Sequence, residues 1–176
     1  MARDRFPVVG TISDGTAVAI DEVELGFLTQ LAGWDRFREA AGNALGSQSL
    51  SLPEDYRLPV RHATATVWRI APDRVLVRSE AKLPLESSDE LVILDLSEAR
   101  VCLAIEGPGA AGLLSRVIAL DFSESGFPTG AFAQTALHHV GVLVDRQGPD
   151  RFTVLIPTTW ATSMAGLLAG HIAQGA

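Results

Sequence analysis

Apolar and polar positions alternate along the chain in a way that marks most of its elements. From Thr16 to Leu31 the sequence is rich in β-branched and aliphatic residues with a break at Gly26, which predicts two short strands joined by a turn or bulge. Trp34, Phe37, Ala41, Ala44 and Leu45 then recur at spacings of three and four, the stripe of an amphipathic helix, and Gly46 stands where that helix is expected to stop. Gly46 to Pro59 mixes Ser, Pro and Gln with few large apolar side chains and reads as a surface loop. Thr64 to Ile70 and Arg74 to Ser79 flank Ala71-Pro72-Asp73, the spacing of a hairpin.

The polar stretch Lys82 to Glu90, with Pro84 and the run Glu86-Ser87-Ser88-Asp89-Glu90, reads as a linker between two halves. Beyond it the plan recurs. Strands at Leu91 to Asp95 and Arg100 to Glu106 precede a helix from Pro108 to about Ile118, whose apolar face is Ala110, Leu113, Leu114, Val117 and Ile118 and whose first turn suits Pro108. Gly141 to Asp145 and Phe152 to Ile156 form a second hairpin. Trp160, Met164, Leu167, Leu168 and His171 mark one face of a final helix, capped by Thr158 or Thr159. Two consecutive strand-helix-hairpin units predict an α+β fold with helices on one side of the sheets, in a single domain of 176 residues with subdomains at about 11–82 and 90–173.

Composition narrows the class. With 47% apolar residues the chain is long enough to bury a core. A formal charge of -7 and scattered basic residues, with Lys82 the single lysine, argue against a nucleic-acid partner, because that affinity rests on clustered Lys and Arg. The one cysteine, Cys102, lies in the apolar run Val101 to Ile105, so no intrachain disulfide forms and burial is expected. The first residues, Met1 to Pro7, lack the features of a secretory signal, and no run reaches the roughly 18 apolar residues of a membrane span. A cytoplasmic location with no membrane partner is the expectation.

Several constellations invite chemical readings. Gly107-Pro108-Gly109-Ala110-Ala111-Gly112 fits the dinucleotide fingerprint G-x-G-x-x-G between a strand and a helix, but Asp121 comes too soon to be the ribose-binding acid, so a strand-to-helix turn is the better reading. His138-His139 would point to opposite faces of a strand and not share a metal; His62 and His171 are remote in sequence, and Cys102 has no ligand-spaced neighbour. No Gly-x-Ser-x-Gly elbow is present. Asp95 and Glu106 flank the second-half strands and read as solvated charges at strand ends rather than an acid-base pair. Trp34, Trp68 and Trp160 share no spacing and read as packing residues. No catalytic, cofactor-binding or metal residue is assigned to this chain.

The order of segments carries more. Leu94 to Leu114 (L-D-L-S-E-A-R-V-C-L-A-I-E-G-P-G-A-A-G-L-L), Ala119 to Phe122 (A-L-D-F), Phe127 to Thr135 (F-P-T-G-A-F-A-Q-T), Gly141 to Arg146 (G-V-L-V-D-R) and Phe152 to Pro157 (F-T-V-L-I-P) together resemble the gamma subunits of heterotetrameric sarcosine oxidases. The resemblance implies an aminomethyltransferase-like, folate-binding-domain fold without the additional C-terminal domain. It also implies a structural role beside alpha, beta and delta subunits. In such complexes the beta subunit carries FAD and FMN, the alpha subunit NAD and the tetrahydrofolate region, and the delta subunit zinc. Sarcosine is oxidised at FAD and its one-carbon unit passes to tetrahydrofolate.

In the wider group a carboxylate before the strand equivalent to Gly141 to Asp145 contributes to the folate site. This chain reads Leu137-His138-His139-Val140 there, with no acid. Two related readings stay open: the equivalent subunit of N-methylglutamate dehydrogenase or another N-methyl amino-acid oxidoreductase, and a free-standing folate-binding protein. Met1 to Gly10 and Gly46 to Pro59 are candidate arms that order on assembly.

Overall fold

Strands dominate because β-branched and aliphatic residues alternate over short runs between Gly, Pro and Asp turns. The computed structural model describes residues 6–173. Eleven strands are formed among them: β1 (Val8–Thr11), β2 (Ala17–Val23), β3 (Phe27–Gly33), β4 (Val60–Arg61), β5 (Ala65–Ala71), β6 (Arg74–Ser79), β7 (Leu91–Asp95), β8 (Arg100–Glu106), β9 (Phe132–Leu137), β10 (Val140–Gly148) and β11 (Arg151–Pro157). The helices are α1 (Phe37–Ser47), α2 (Ala110–Val117) and α3 (Ala161–Ala169).

The strands form two antiparallel sheets, with orders β1-β2-β8-β11-β10-β9 and β4-β5-β6-β3-β7. Two compact units correspond to them. One is Leu25–Glu98; the other joins the residues up to Glu24 to those from Ala99 onward. This differs from subdomains at 11–82 and 90–173. Lys82 to Glu90 is not a boundary, because β7 pairs with β3 and stays in the Leu25–Glu98 unit. Nor do Leu91–Asp95 and Arg100–Glu106 pair with each other. β8 lies between β2 and β11.

In the discontinuous unit, same-face residues Val18 and Ile20, Leu103 and Ile105, Val142 and Val144, and Phe152, Val154 and Ile156 form one core with Leu113 and Leu114 of α2 and Met164 and Leu168 of α3. In the other unit, Phe37, Ala41 and Leu45 of α1 pack with Leu31, Val67, Val75, Val77 and Leu91. Burying a side chain of this size contributes roughly 1.5–3 kcal/mol, so these stripes set the helix positions.

Local differences from the sequence reading have local causes. Gly46 lies inside α1; the reversal comes at Ser49, with φ +58, where Ser49 N–H donates to Gly46 O and Leu50 N–H to Leu45 O, the paired bonds of a Schellman motif. Trp34 precedes α1 and is 61% exposed rather than part of its buried stripe. A 3₁₀ turn at Thr158–Trp160 leads into α3 with no side-chain cap from either threonine. Of the candidate arm Met1 to Gly10, residues 1–5 lie outside the described residues, and Val8 onward forms edge strand β1. The second candidate arm is held by Arg38 paired with Glu54, by Arg69 Nη1 donating to Pro53 O at 3.4 Å, and by the Arg69 guanidinium 4.9 Å from the Tyr56 ring.

Candidate functional site

The glycine-rich turn is a packing device. Gly107 has φ +110, and a Cβ there would stand 2.7 Å from Ala17 O. Gly107 N–H donates to Asp150 O at 2.9 Å and Gly109 N–H to Ala17 O at 2.8 Å, so two amides a pyrophosphate would need are spent on the chain itself. At Gly112 a Cβ would meet Ile12 Cδ1 at 2.8 Å. The three glycines let the β1–β2 connection close onto the start of α2, in accord with the strand-to-helix reading.

The histidines are dispersed. His138 and His139 form the two-residue turn between β9 and β10 rather than part of a strand, with φ +57 at His138 and ring centroids 6.0 Å apart. His139 meets Trp160 edge-on at 5.4 Å. His62 Nε2 accepts from Ser51 N–H at 3.4 Å, in the other unit. Among the described residues no group of three or more His, Cys, Asp or Glu is placed to hold a metal ion. Cys102 is buried. Trp68 is buried as a packing residue, whereas Trp34 and Trp160, at 61% and 43%, are exposed.

Asp95 and Glu106 belong to different sheets and have separate partners. Asp95 accepts from the Ser97 hydroxyl at 2.6 Å and backbone N–H at 3.0 Å and faces Lys82 at 3.7 Å; these contacts, the hydroxyl first, hold its carboxyl below the usual range. Glu106 pairs with Arg151 at 3.0 Å. Asp121 serves its own loop, accepting from Ser123 N–H at 2.9 Å.

A polar constellation with many partners centres on a residue the sequence reading did not isolate. Arg146 continues the inward face of Val142 and Val144, and its side chain is 7% exposed. Its guanidinium donates to the carbonyls of Phe127 at 2.6 Å, Pro149 at 2.7 Å, Phe122 at 3.2 Å and Gly148 at 3.3 Å, pairs with Glu124 at 3.1 Å, and lies 5.2 Å from the Phe152 ring. Phe122 meets Phe127 and Phe152 edge-on at 5.6 and 5.8 Å. The signal was present as an arginine ending the apolar run Gly141 to Asp145. With its donors used on carbonyls of its own unit, Arg146 organises the 121–131 loop.

A shallow cleft of about 370 Å³ lies where α2 ends against the outer side of β9, lined by Arg116, Ser115, Thr135 and His138 among others. No helix of the described residues is long and apolar enough to cross a membrane.

No protein-family model matches the chain, and no curated protein matches it. Among solved structures, it is similar to a chain of the heterotetrameric sarcosine oxidase from Corynebacterium sp. U-96, solved in complex with pyrrole 2-carboxylate. The TM-score is 0.75 and the identity 23%, over 91% of this chain and 88% of that one. The likeness is one of fold: a mixed, strand-rich architecture with two antiparallel sheets and few helices.

Proposed function

We propose that this chain is a non-catalytic, gamma-type subunit of a heterotetrameric flavin-dependent sarcosine oxidase. The observation that carries the proposal is the near end-to-end fold likeness, 91% of one chain on 88% of the other, to a chain of such an enzyme.

In this reading the fold is aminomethyltransferase-like, built from two related units. The strand orders support it: β3-α1-β4-β5-β6 and β8-α2-β9-β10-β11 each run strand, helix and three-strand meander, with the last strand returning to pair with the first. The strand before each run, β2 or β7, lies in the other run's sheet. The chain acts as scaffold in the cytoplasm beside alpha, beta and delta subunits. FAD, FMN, NAD, tetrahydrofolate and zinc belong to those partners, and the assembly demethylates sarcosine to glycine with one-carbon transfer to tetrahydrofolate. The same scaffold role fits an N-methylglutamate dehydrogenase or another N-methyl amino-acid oxidoreductase. Free-standing folate binding is less favoured, because the Leu137 to Val140 turn supplies histidines where the wider group supplies an acid.

The test is capture of the tagged chain from its native host at low stringency, with mass-spectrometric identification of co-purifying chains. Stoichiometric large, middle-sized and small partners with a flavin absorbance spectrum support the proposal. A colourless lone protein, from cells shown to express the oxidase chains, contradicts it.

A further inference from the structure

The cleft between the end of α2 and β9 has the chemistry of an anion site. Its basic lining side chains are Arg116 and His138, with the hydroxyl of Thr135; the Ser115 hydroxyl, also in the lining, donates to Gly112 O at 3.0 Å, and no carboxylate lines the cleft, although the chain carries 21 acidic residues against 14 basic ones. Arg116 spends one nitrogen on a neutral partner, donating Nη2 to Ser13 Oγ at 2.7 Å. The nearby Asp14 feels the arginine's charge; its Oδ1 accepts from the hydroxyl and backbone N–H of Thr16 at 2.6 and 2.9 Å, and its carboxylate does not line the cleft. The remaining guanidinium donors have no ion-pair partner among the described residues.

His138 adds an independent observation. It sits at φ +57 in the two-residue turn between β9 and β10, where hairpin geometry calls for positive φ and glycine meets it at least cost. Its N–H is fixed to Val117 O at 3.1 Å, which holds the turn against the end of α2 and keeps the imidazole on the rim of the cleft. The cleft thus brings together an arginine with guanidinium donors left over and a turn imidazole, with no carboxylate in its lining.

The geometry points to an oxyanion-binding site in this cleft, for the carboxylate or phosphate group of a small acid or for an acidic side chain presented by another chain. The cleft volume of about 370 Å³ suits a small ligand or a single side chain. The negative end of the α2 dipole opposes an anion, so binding depends on Arg116. This site is independent of the proposed subunit role.

The test is ¹H–¹⁵N correlation NMR of the full chain titrated with succinate, inorganic phosphate and an acetylated tetraglutamate peptide. Saturable shifts confined to amides near Arg116 and His138 are expected, with affinity at least tenfold weaker in Arg116→Gln and unchanged in Arg151→Gln, whose arginine pairs with Glu106 elsewhere. His138→Gly is expected to weaken binding severalfold while raising Tm by about 2–4 °C through relief of the strained φ. Saturation by the small anions identifies a free ligand; saturation by the peptide alone identifies an acidic segment of another chain. Shifts that do not saturate, that persist in Arg116→Gln, or that spread equally over other surface arginines, an adventitious ion only, overturn the assignment.

Discussion

Arg146 Nη1 donates to the carbonyl oxygen of Phe127 at 2.6 Å, joining strand β10 to a loop 19 residues earlier in the chain. Three further carbonyls, one carboxylate and the Phe152 ring share the same guanidinium. The guanidinium is largely out of water and its bonds to Phe122 and Phe127 are buried, so these two are worth more than surface equivalents and cost more when the carbonyls are orphaned.

Arg146→Ala is therefore expected to destabilise the protein by about 3–5 kcal/mol, with Arg146→Lys recovering part of the loss because an ammonium supplies charge but not the planar fork. Urea unfolding with the midpoint and slope both recorded checks this. A loss below about 1 kcal/mol would show that the 121–131 loop holds itself in place.

Four exposed carboxyls sit below their usual range. Asp14 and Asp95 are held there first by the hydroxyls of Thr16 and Ser97, Asp121 by the backbone N–H of Ser123, and Glu124 by the backbone N–H of Thr129 with help from Arg146. A depressed carboxyl adds stability that is present above its unfolded-state pKa and is lost as pH falls through the folded value. Stability should thus be flat near neutral pH and fall below about pH 4. Asp121→Asn and Glu124→Gln should flatten that acid limb; thermal melts from pH 7 to 3 that show the same limb in the variants would rule out these groups as its source.

Gly107 and Gly130 both have positive φ, +110 and +93, but a Cβ at Gly107 would stand 2.7 Å from Ala17 O whereas nothing lies within 4 Å at Gly130. Gly130→Ala should cost about 1 kcal/mol from backbone strain alone. Gly107→Ala should cost at least about 2 kcal/mol more, because backbone must also shift. Equal losses in chemical denaturation would contradict the packing role given to the glycine-rich turn.

Ser49 closes α1 at φ +58, a position that favours glycine. Ser49→Gly should stabilise the protein by about 0.5–1 kcal/mol. A lower unfolding midpoint would mean that the serine side chain supplies something beyond the turn.

What was legible in the sequence is what local pattern determines. The Arg74 to Ser79 and Phe152 to Ile156 hairpins, and the stripes of α1 and α2, follow from alternation and three-four spacing, and the structure has them. Strand β9, Phe-Ala-Gln-Thr-Ala-Leu, went unassigned because its Ala and Gln positions give no strong alternation and its partner β10 fixes it. The division of the chain was not legible at all. β2 pairs with β8 and β7 with β3, choices made by sheet neighbours distant in sequence, so the polar run Lys82 to Glu90 looked like a boundary and the joins near Glu24 and Glu98 did not. The Arg146 constellation was hidden for the same reason: four carbonyls become partners only after the loop and hairpin have folded together.

The most direct measurement of the proposed role compares sarcosine-dependent peroxide formation by the chain alone and by the complex captured with it from its native host. The account predicts no activity from the isolated chain and turnover with a flavin spectrum from the captured complex. Activity in the isolated chain, or a captured assembly with neither flavin nor oxidation of sarcosine or another N-methyl amino acid, would contradict it.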